Sequence, residues 1–372
     1  MLSQILAFPY FLLLFFILLC QIYEIYLSQI IYNKTGRYAS FIKLAVQILP
    51  YYVSFLFLAF RGEVNTDWVT YQAHYECIAS TCSPVGFAFE SAFWWGLYLF
   101  KISGLDYSYF QIVSTFFDLL LVYLIGRYYR FGLIFLFMYL IFNGGVGFRL
   151  EVNLMRQVKS ILLFTISVKY LQKGSLFKYV SINVLGSLFH VTSLIYIPLY
   201  FIFRRKNSNF ILVFLYVVGV LFFIFEISWV SKVLTFLSDY SFGRLSFLAN
   251  VYSNSEIFSQ RKELGFALIE RSILFFSVLY LTYKSKIKFS YIYQNICFLY
   301  IFIYLYFSEM IIFSDRFSLL FLPGFWLAYS AYYSSAKVKS QIIFLLLILF
   351  YIFIKHFGFT APIYLKYNQF IY

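Results

Sequence analysis

Arg156 and Gln157 open one apolar run, and His190 sits within the next, in NLMRQVKSILLFTISVKYLQKGSLFKYVSINVLGSLFHVTSLIYIPLYFIF over residues 153–203. A charge at the mouth of an apolar helix and an imidazole at membrane depth are both costly unless paired or used. A guanidinium has the planar fork that grips phosphate oxygens. An imidazole exchanges its proton near neutral pH. Lys159, one turn after Arg156, adds a second cation that helical spacing places on the same face.

Other groups share this character. FRGEVNTDWVTYQAHYE carries Arg61, then Asp67 and Tyr71 four residues apart, a spacing that shares a helix face. Arg149 and Glu151 precede Arg156, and SEMIIFSDRFSLLFLPG holds Glu309, Asp315 and Arg316. DYSFGRLSF adds Arg244. Each has a plainer reading beside the chemical one. Arg61 snorkels to lipid headgroups, Arg156 and Lys159 belong to an interfacial belt, His190 is a core histidine, and Asp315 with Arg316 is an outer ion pair. Cys77 and Cys82 form a disulfide if their compartment is oxidising, or remain two free thiols; Cys20 and Cys297 read as small core residues. No nucleotide-binding glycine loop, H-E-x-x-H or G-x-S-x-G occurs, and the three His residues are far apart. Neither a metal nor an organic cofactor is expected.

These residues are carried by a strongly apolar chain. Of its 372 residues, 63% are hydrophobic and 12% charged, and mean hydropathy is +0.82. That composition excludes a soluble domain and predicts an all-α, polytopic integral membrane protein. Runs such as FILVFLYVVGVLFFIF are apolar on every face, unlike the alternating strands of a β-barrel. The first run lacks a basic n-region and reads as a retained span. Expected spans are about 5–27, 44–60, 107–126, 131–148, 156–172, 176–190, 191–203, 210–226, 265–283, 290–307, 317–334 and 341–357. Segment 86–104, which contains Glu90 and Lys101, is expected to be re-entrant or interfacial at the outer face, so the total is about 11–13 helices in one membrane domain.

Loop charge orients the chain. With the N-terminus outside, Arg127, Arg130, Lys173, Lys178, Arg204, Arg205 and Lys206 fall on cytoplasmic connections, whereas Glu63, Asp67, Asp106, Glu151, Glu309 and Asp315 fall outside. Cytoplasmic return of Arg204–Lys206 requires 176–203 to be two short helices, which brings His190 to the outer side with Arg156. The long connections, about 61–106 and 227–264, also face outward. Net charge of +14 is thus explained by a basic cytoplasmic rim, and no nucleic-acid partner is expected.

The order of motifs resembles the EpsG-like branch of the Wzy polysaccharide polymerases. It comprises Arg61, Asp67 and Tyr71; Glu90 and Phe93 before Gly104, Leu105 and Asp106; Arg156 with Gln157; Phe189, His190, Thr192 and Ser193; and Arg316 ahead of Pro323. The match covers about residues 50–205 and returns near 305–330, with Val158, Lys159 and Ser160 departing from the usual continuation after Arg-Gln. The resemblance implies polymerisation of undecaprenyl-diphosphate-linked repeat units into O-antigen or capsule at the periplasmic face of a bacterial inner membrane. Such a reaction needs cations on the diphosphate and a base for the acceptor hydroxyl. Arg156 is assigned to the diphosphate, helped by Arg61, Arg244 and Arg316; His190 and Asp67 are both candidates for the base. Tyr71, Glu90, Gln157 and Lys159 are expected to bind substrate. A flippase and a chain-length regulator of the same pathway are the further partners implied. The competing functions are a lipid-linked-unit flippase, another lipid-sugar glycosyltransferase and a membrane acyltransferase.

Overall fold

In lipid every backbone polar group must find its partner within the segment, and long apolar runs therefore close into helices. The computed structural model describes residues 2–31, 37–62, 66–78, 90–145, 147–240, 260–284, 287 and 290–358, and the regular elements among them are helical. Four helical windows are long and apolar enough to cross a membrane: Phe8–Leu27, Tyr107–Tyr129, Phe266–Lys284 and Val338–Phe357. Leu44–Ala59 and Asn209–Ile224 are shorter apolar helices. The protein is a polytopic, all-helical membrane protein. Its chain forms two compact units, Met1–Tyr200 with Tyr329–Tyr372, and Phe201–Ala328.

In the first unit, α1 (Leu2–Ile31), α2 (Arg37–Ala59) and α5 (Tyr107–Tyr129) run alternately up and down. Tyr10 packs on Phe57, and farther along α2 Phe55 meets Phe116 and Tyr51 meets Tyr123. Between α2 and α5 lie two short helices, α3 (Thr66–Cys77) and α4 (Ser91–Ile102). At 12 residues, α4 is about 18 Å long, well below the ~30 Å hydrocarbon core. Cys77 at the end of α3 is disulfide-bonded; Cys82 lies outside the described residues.

The expected span at 131–148 is corrected. Helix α6 (Leu133–Ile141) has only nine residues, all buried, and the chain then turns through Gly144, Gly145 and Gly147 at positive φ. Its even hydrophobicity marks a helix enclosed by protein on all sides, a pattern that composition cannot separate from a lipid-facing run. One turn of helix, α7 (Arg149–Val152), leads into α8 (Met155–Lys173). Helices α5 and α8 are parallel: the Tyr107 hydroxyl lies 3.5 Å from the Met155 sulfur, and the Tyr129 hydroxyl donates to the Thr165 carbonyl at 2.9 Å. Their far ends gather Arg127, Arg130, Lys169 and Lys173, with Lys169 donating to the Tyr128 carbonyl. This is the basic end that loop charge assigns to the cytoplasm.

Residues 176–203 do reverse direction. Helix α9 (Leu176–Ser187) ends before His190, and a 3₁₀ segment, Val191–Tyr196, returns alongside it to α10 (Leu199–Arg204). The Tyr179 hydroxyl donates to the Tyr196 carbonyl at 2.7 Å, and Tyr196 stacks on Phe164 of α8 at 3.7 Å. Close approach of the arms needs Gly186, where an added Cβ would lie 3.2 Å from Ser193 Cβ.

In the second unit α11 (Asn209–Ile224), α13 (Phe266–Lys284) and α14 (Ser290–Tyr306) pack around Phe223, Phe275, Phe298 and Tyr304; α12 (Val230–Tyr240) packs through Val230 and Leu234 on Met310, just before α15 (Ile311–Leu319). The expected span 317–334 is instead broken. Leu320–Leu322 separates α15 from α16 (Pro323–Ser335), and proline supplies the first residue of the new helix, where its missing N–H costs nothing. In the first unit, α17 (Val338–Gly358) closes against α1 through Phe353 and Phe11.

Gly186→Ala is expected to cost about 1–3 kcal/mol through overpacking, and Ser193→Gly in the same chain to recover part of it. Thermal unfolding of the detergent-solubilised protein measures both; an unshifted single variant would show that the hairpin arms are not packed so closely.

Candidate functional site

Glu90 occupies the start of α4 with a left-handed backbone, φ 68° and ψ 34°. A non-glycine residue held there costs about 1–2 kcal/mol and marks a position that its surroundings over-determine. Those surroundings are an arginine and a histidine side chain. One carboxylate oxygen pairs with Arg156 Nη1 at the start of α8. The other lies 2.8 Å from His190 Nδ1 at the hairpin tip, off the ideal hydrogen-bond direction, and accepts the Val191 N–H at 3.3 Å. The Ala92 N–H donates to the Leu188 carbonyl at 3.0 Å, which ties the start of α4 to the same tip.

Arg156 is enclosed by aromatic rings. Its guanidinium carbon lies 5.3 Å from the Trp94 ring centre, 5.4 Å from Tyr71 and 5.9 Å from Phe93, within cation–π range. Nε donates to the Tyr71 hydroxyl at 3.3 Å. The side chain keeps 29% exposure, so it is partly open to the surface. Asp67 lies one turn before Tyr71 in α3, and its backbone N–H donates to Asn153 Oδ1 at 2.9 Å, anchoring α3 to the entry of α8. Arg156, Tyr71, Glu90 and His190 thus form one connected cluster, with Asp67 beside it.

Charge follows from this geometry. Burial pushes the Glu90 carboxyl up, but the His190 imidazole and the Arg156 guanidinium outweigh it and hold the pKa below its usual value. Burial and the Arg156 charge together lower that of His74, which packs edge-on against Trp94. Among the described residues, no group of three His, Cys, Asp or Glu side chains is placed to hold a metal.

Other expected site residues lie elsewhere. Lys159 does not share the opening with Arg156. Its ammonium donates to Ser114 Oγ and Asp118 Oδ2, both at 2.7 Å, and to the Met155 carbonyl at 3.1 Å. Three protons meet three acceptors inside the protein, leaving none for a substrate. Arg61 is also corrected: at 1% exposure it donates to the Leu58 and Glu151 carbonyls and to Thr115 Oγ1, out of reach of headgroups or diphosphate. Gln157 is buried within α8. Arg316 belongs to the second unit, on the exposed side of α15. There its neighbour Asp315 pairs with Lys262 at 2.9 Å and Arg271 at 3.6 Å, and Glu309 accepts the Trp229, Val230 and Ser231 N–H groups at the start of α12. Arg244 lies outside the described residues.

Sequence reading passed over Asp118, the buried partner of Lys159, although an acid inside an apolar span is itself a signal of a partner. It also passed over Trp94, which only the fold brings to Arg156, and Tyr139, which donates to Glu151.

Comparison with known proteins gives the family of the chain. The family model described as the EpsG family matches residues 44–371. The chain belongs to the EpsG family. This places it among membrane proteins of polysaccharide biosynthesis. No curated protein and no solved structure matches it.

In this EpsG-family protein, Lys159→Met is expected to destabilise by about 3–5 kcal/mol, because it strands a buried carboxylate, whereas Lys159→Met with Asp118→Leu should recover most of the loss. Thermal unfolding of both variants checks this; a double variant no more stable than the single would show that the pair is not coupled. For Glu90→Gln the expected cost at neutral pH is about 1–3 kcal/mol. Because the native carboxyl is depressed, its contribution is complete above the ordinary carboxylate range and is lost as pH falls through the native value. Wild type and Glu90→Gln should therefore converge in acid, which unfolding midpoints measured across pH will show.

Proposed function

We propose that this protein polymerises undecaprenyl-diphosphate-linked oligosaccharide repeat units into O-antigen or capsular polysaccharide at the periplasmic face of a bacterial inner membrane. The observation that carries this is the Glu90 bridge between Arg156 and His190, at the end of the first unit opposite its basic rim. Family membership supports the polysaccharide substrate.

The growing chain leaves its lipid diphosphate as the acceptor hydroxyl of the next lipid-linked unit attacks the anomeric carbon. A carbon–oxygen bond to the acceptor forms, the bond to the diphosphate oxygen breaks, and the electron pair leaves on the diphosphate. Arg156, partly exposed and already oriented by the aromatic rings and Glu90, meets that charge, so little reorganisation accompanies the reaction. His190 turns Nδ1 to Glu90, leaving Nε2 to take the acceptor proton. Glu90 is here a positioning residue rather than a substrate ligand. Asp67, beside Tyr71, is the other carboxylate near the cluster and the competing base. A flippase delivering lipid-linked units and a chain-length regulator are the partners this activity would require.

Arg156→Ala should abolish chain extension while the protein stays in the membrane, with a single repeat unit on the lipid core in gels of surface glycan. A full-length ladder from that variant would sink the assignment. His190→Gln should lower the extension rate by roughly 10²–10⁴-fold, with Asp67→Asn milder; the reverse order would make Asp67 the base.

A further inference from the structure

Beside the Arg156 cluster, on the other flank of α3, a cleft of about 380 Å³ opens toward the start of α5. Helix α3 serves both places. Asp67, Tyr71 and His74 form the stripe that faces Arg156, whereas Trp68, Gln72, Tyr75 and Glu76, at i, i+4, i+7 and i+8, form the stripe that lines the cleft. Opposite them stand Lys101 and Asp106.

The floor is aromatic and rigid. Trp68 Nε1 donates to Gln111 Oε1 at 2.7 Å, the Tyr75 hydroxyl donates to the Leu105 carbonyl, and Tyr107 packs edge-on against Trp68 at 5.5 Å. Tyr107 also reaches Met155, the residue before Arg156, so the floor touches the entry of α8. The rim is polar. Gln72 Nε2 donates to Glu76 Oε1 at 3.0 Å, and Lys101 Nζ stands 5.0 Å over the Tyr75 ring.

We infer that this cleft binds a sugar residue of the glycan, and that it selects a neutral or amino sugar over an acidic one. Its size lies in the range of small-ligand sites, and an aromatic floor with a few polar groups is the usual lining of such sites. Two carboxylates accept, an ammonium donates and an amide does both, which matches hydroxyls that donate and accept at once. The lining is too polar for a prenyl tail. With Glu76 and Asp106 against the single charge of Lys101, it repels phosphate and uronate alike. Because its Tyr107 touches Met155, the residue before Arg156, the cleft holds a sugar while the diphosphate occupies the cation.

This inference names a substrate subsite for the polymerase proposed above and rests on that activity for its biological use, but sugar binding can be measured without turnover. The probe is the producing strain's own repeat-unit oligosaccharide, freed from its lipid diphosphate, titrated into the full-length protein in nanodiscs by calorimetry. Wild type should bind it, and Glu76→Gln and Asp106→Asn should each weaken binding at least tenfold while Arg156→Ala leaves it within about threefold. In chain extension the same two variants should raise KM for the lipid-linked unit. Glu76 and Asp106 are exposed, and Asp106 makes no capping hydrogen bond, so neither change disturbs the fold. Wild type that binds no free oligosaccharide, or rim variants that bind it unaltered, would overturn the subsite. Wild type that binds the oligosaccharide without extending chains would overturn the polymerase and leave the subsite standing.

Discussion

A buried carboxylate must find donors for its oxygens, and in this protein one carboxylate finds them on two different elements. Glu90 engages Arg156 through one oxygen and His190 through the other. Three segments distant in the chain, the start of α4, the start of α8 and the tip of the α9 hairpin, are thereby held at one place. Without that anion the Arg156 guanidinium would sit half-enclosed with no carboxylate to balance its charge. The left-handed backbone of Glu90 is tolerated because both neighbours, together with the Ala92 and Val191 N–H groups, hold the residue there.

A second, deeper interaction sets how α8 is turned. Lys159 is drawn toward α5 by Asp118 and Ser114. Residues three apart on a helix differ by about 60° around its axis, so fixing Lys159 inward leaves Arg156 angled toward α3 and α4. A buried pair of this kind adds little net stability, since desolvation offsets attraction, but it disfavours any rotation of α8 that would strand either charge. Arg61 ties the α2 terminus to α5 and α7 in the same way. Two of the cations expected on substrate, Lys159 and Arg61, are thus consumed in contacts inside the protein, whereas Arg156 keeps part of its side chain exposed.

Much of the architecture was legible because membrane physics leaves its marks in composition. Unbroken apolar runs located α1, α5, α13 and α17, and the cations at Arg204–Lys206 required the chain to reverse near His190, as Tyr179 and Tyr196 show that it does. The same runs misled at 131–148, because a short helix buried in protein is as apolar as one facing lipid. They misled again at 317–334, where Pro323 starts a helix instead of lying within one. Lys159 and Arg61 were read as substrate cations because charge and spacing are visible in a sequence, whereas the buried acceptor that consumes a charge is not.

By itself, the sequence determined that the protein is helical and membrane-spanning, which end of it is basic, and that Arg156 and His190 emerge at the opposite end. These follow from hydropathy and loop charge, which are local properties of the chain. Only the tertiary structure decided that Glu90 joins Arg156 to His190, that Lys159 and Arg61 face inward, and that one helix lines both a cation cluster and a polar cleft. Those outcomes depend on how each helix is rotated and what lies across from it, and rotation is set by packing between segments far apart in sequence.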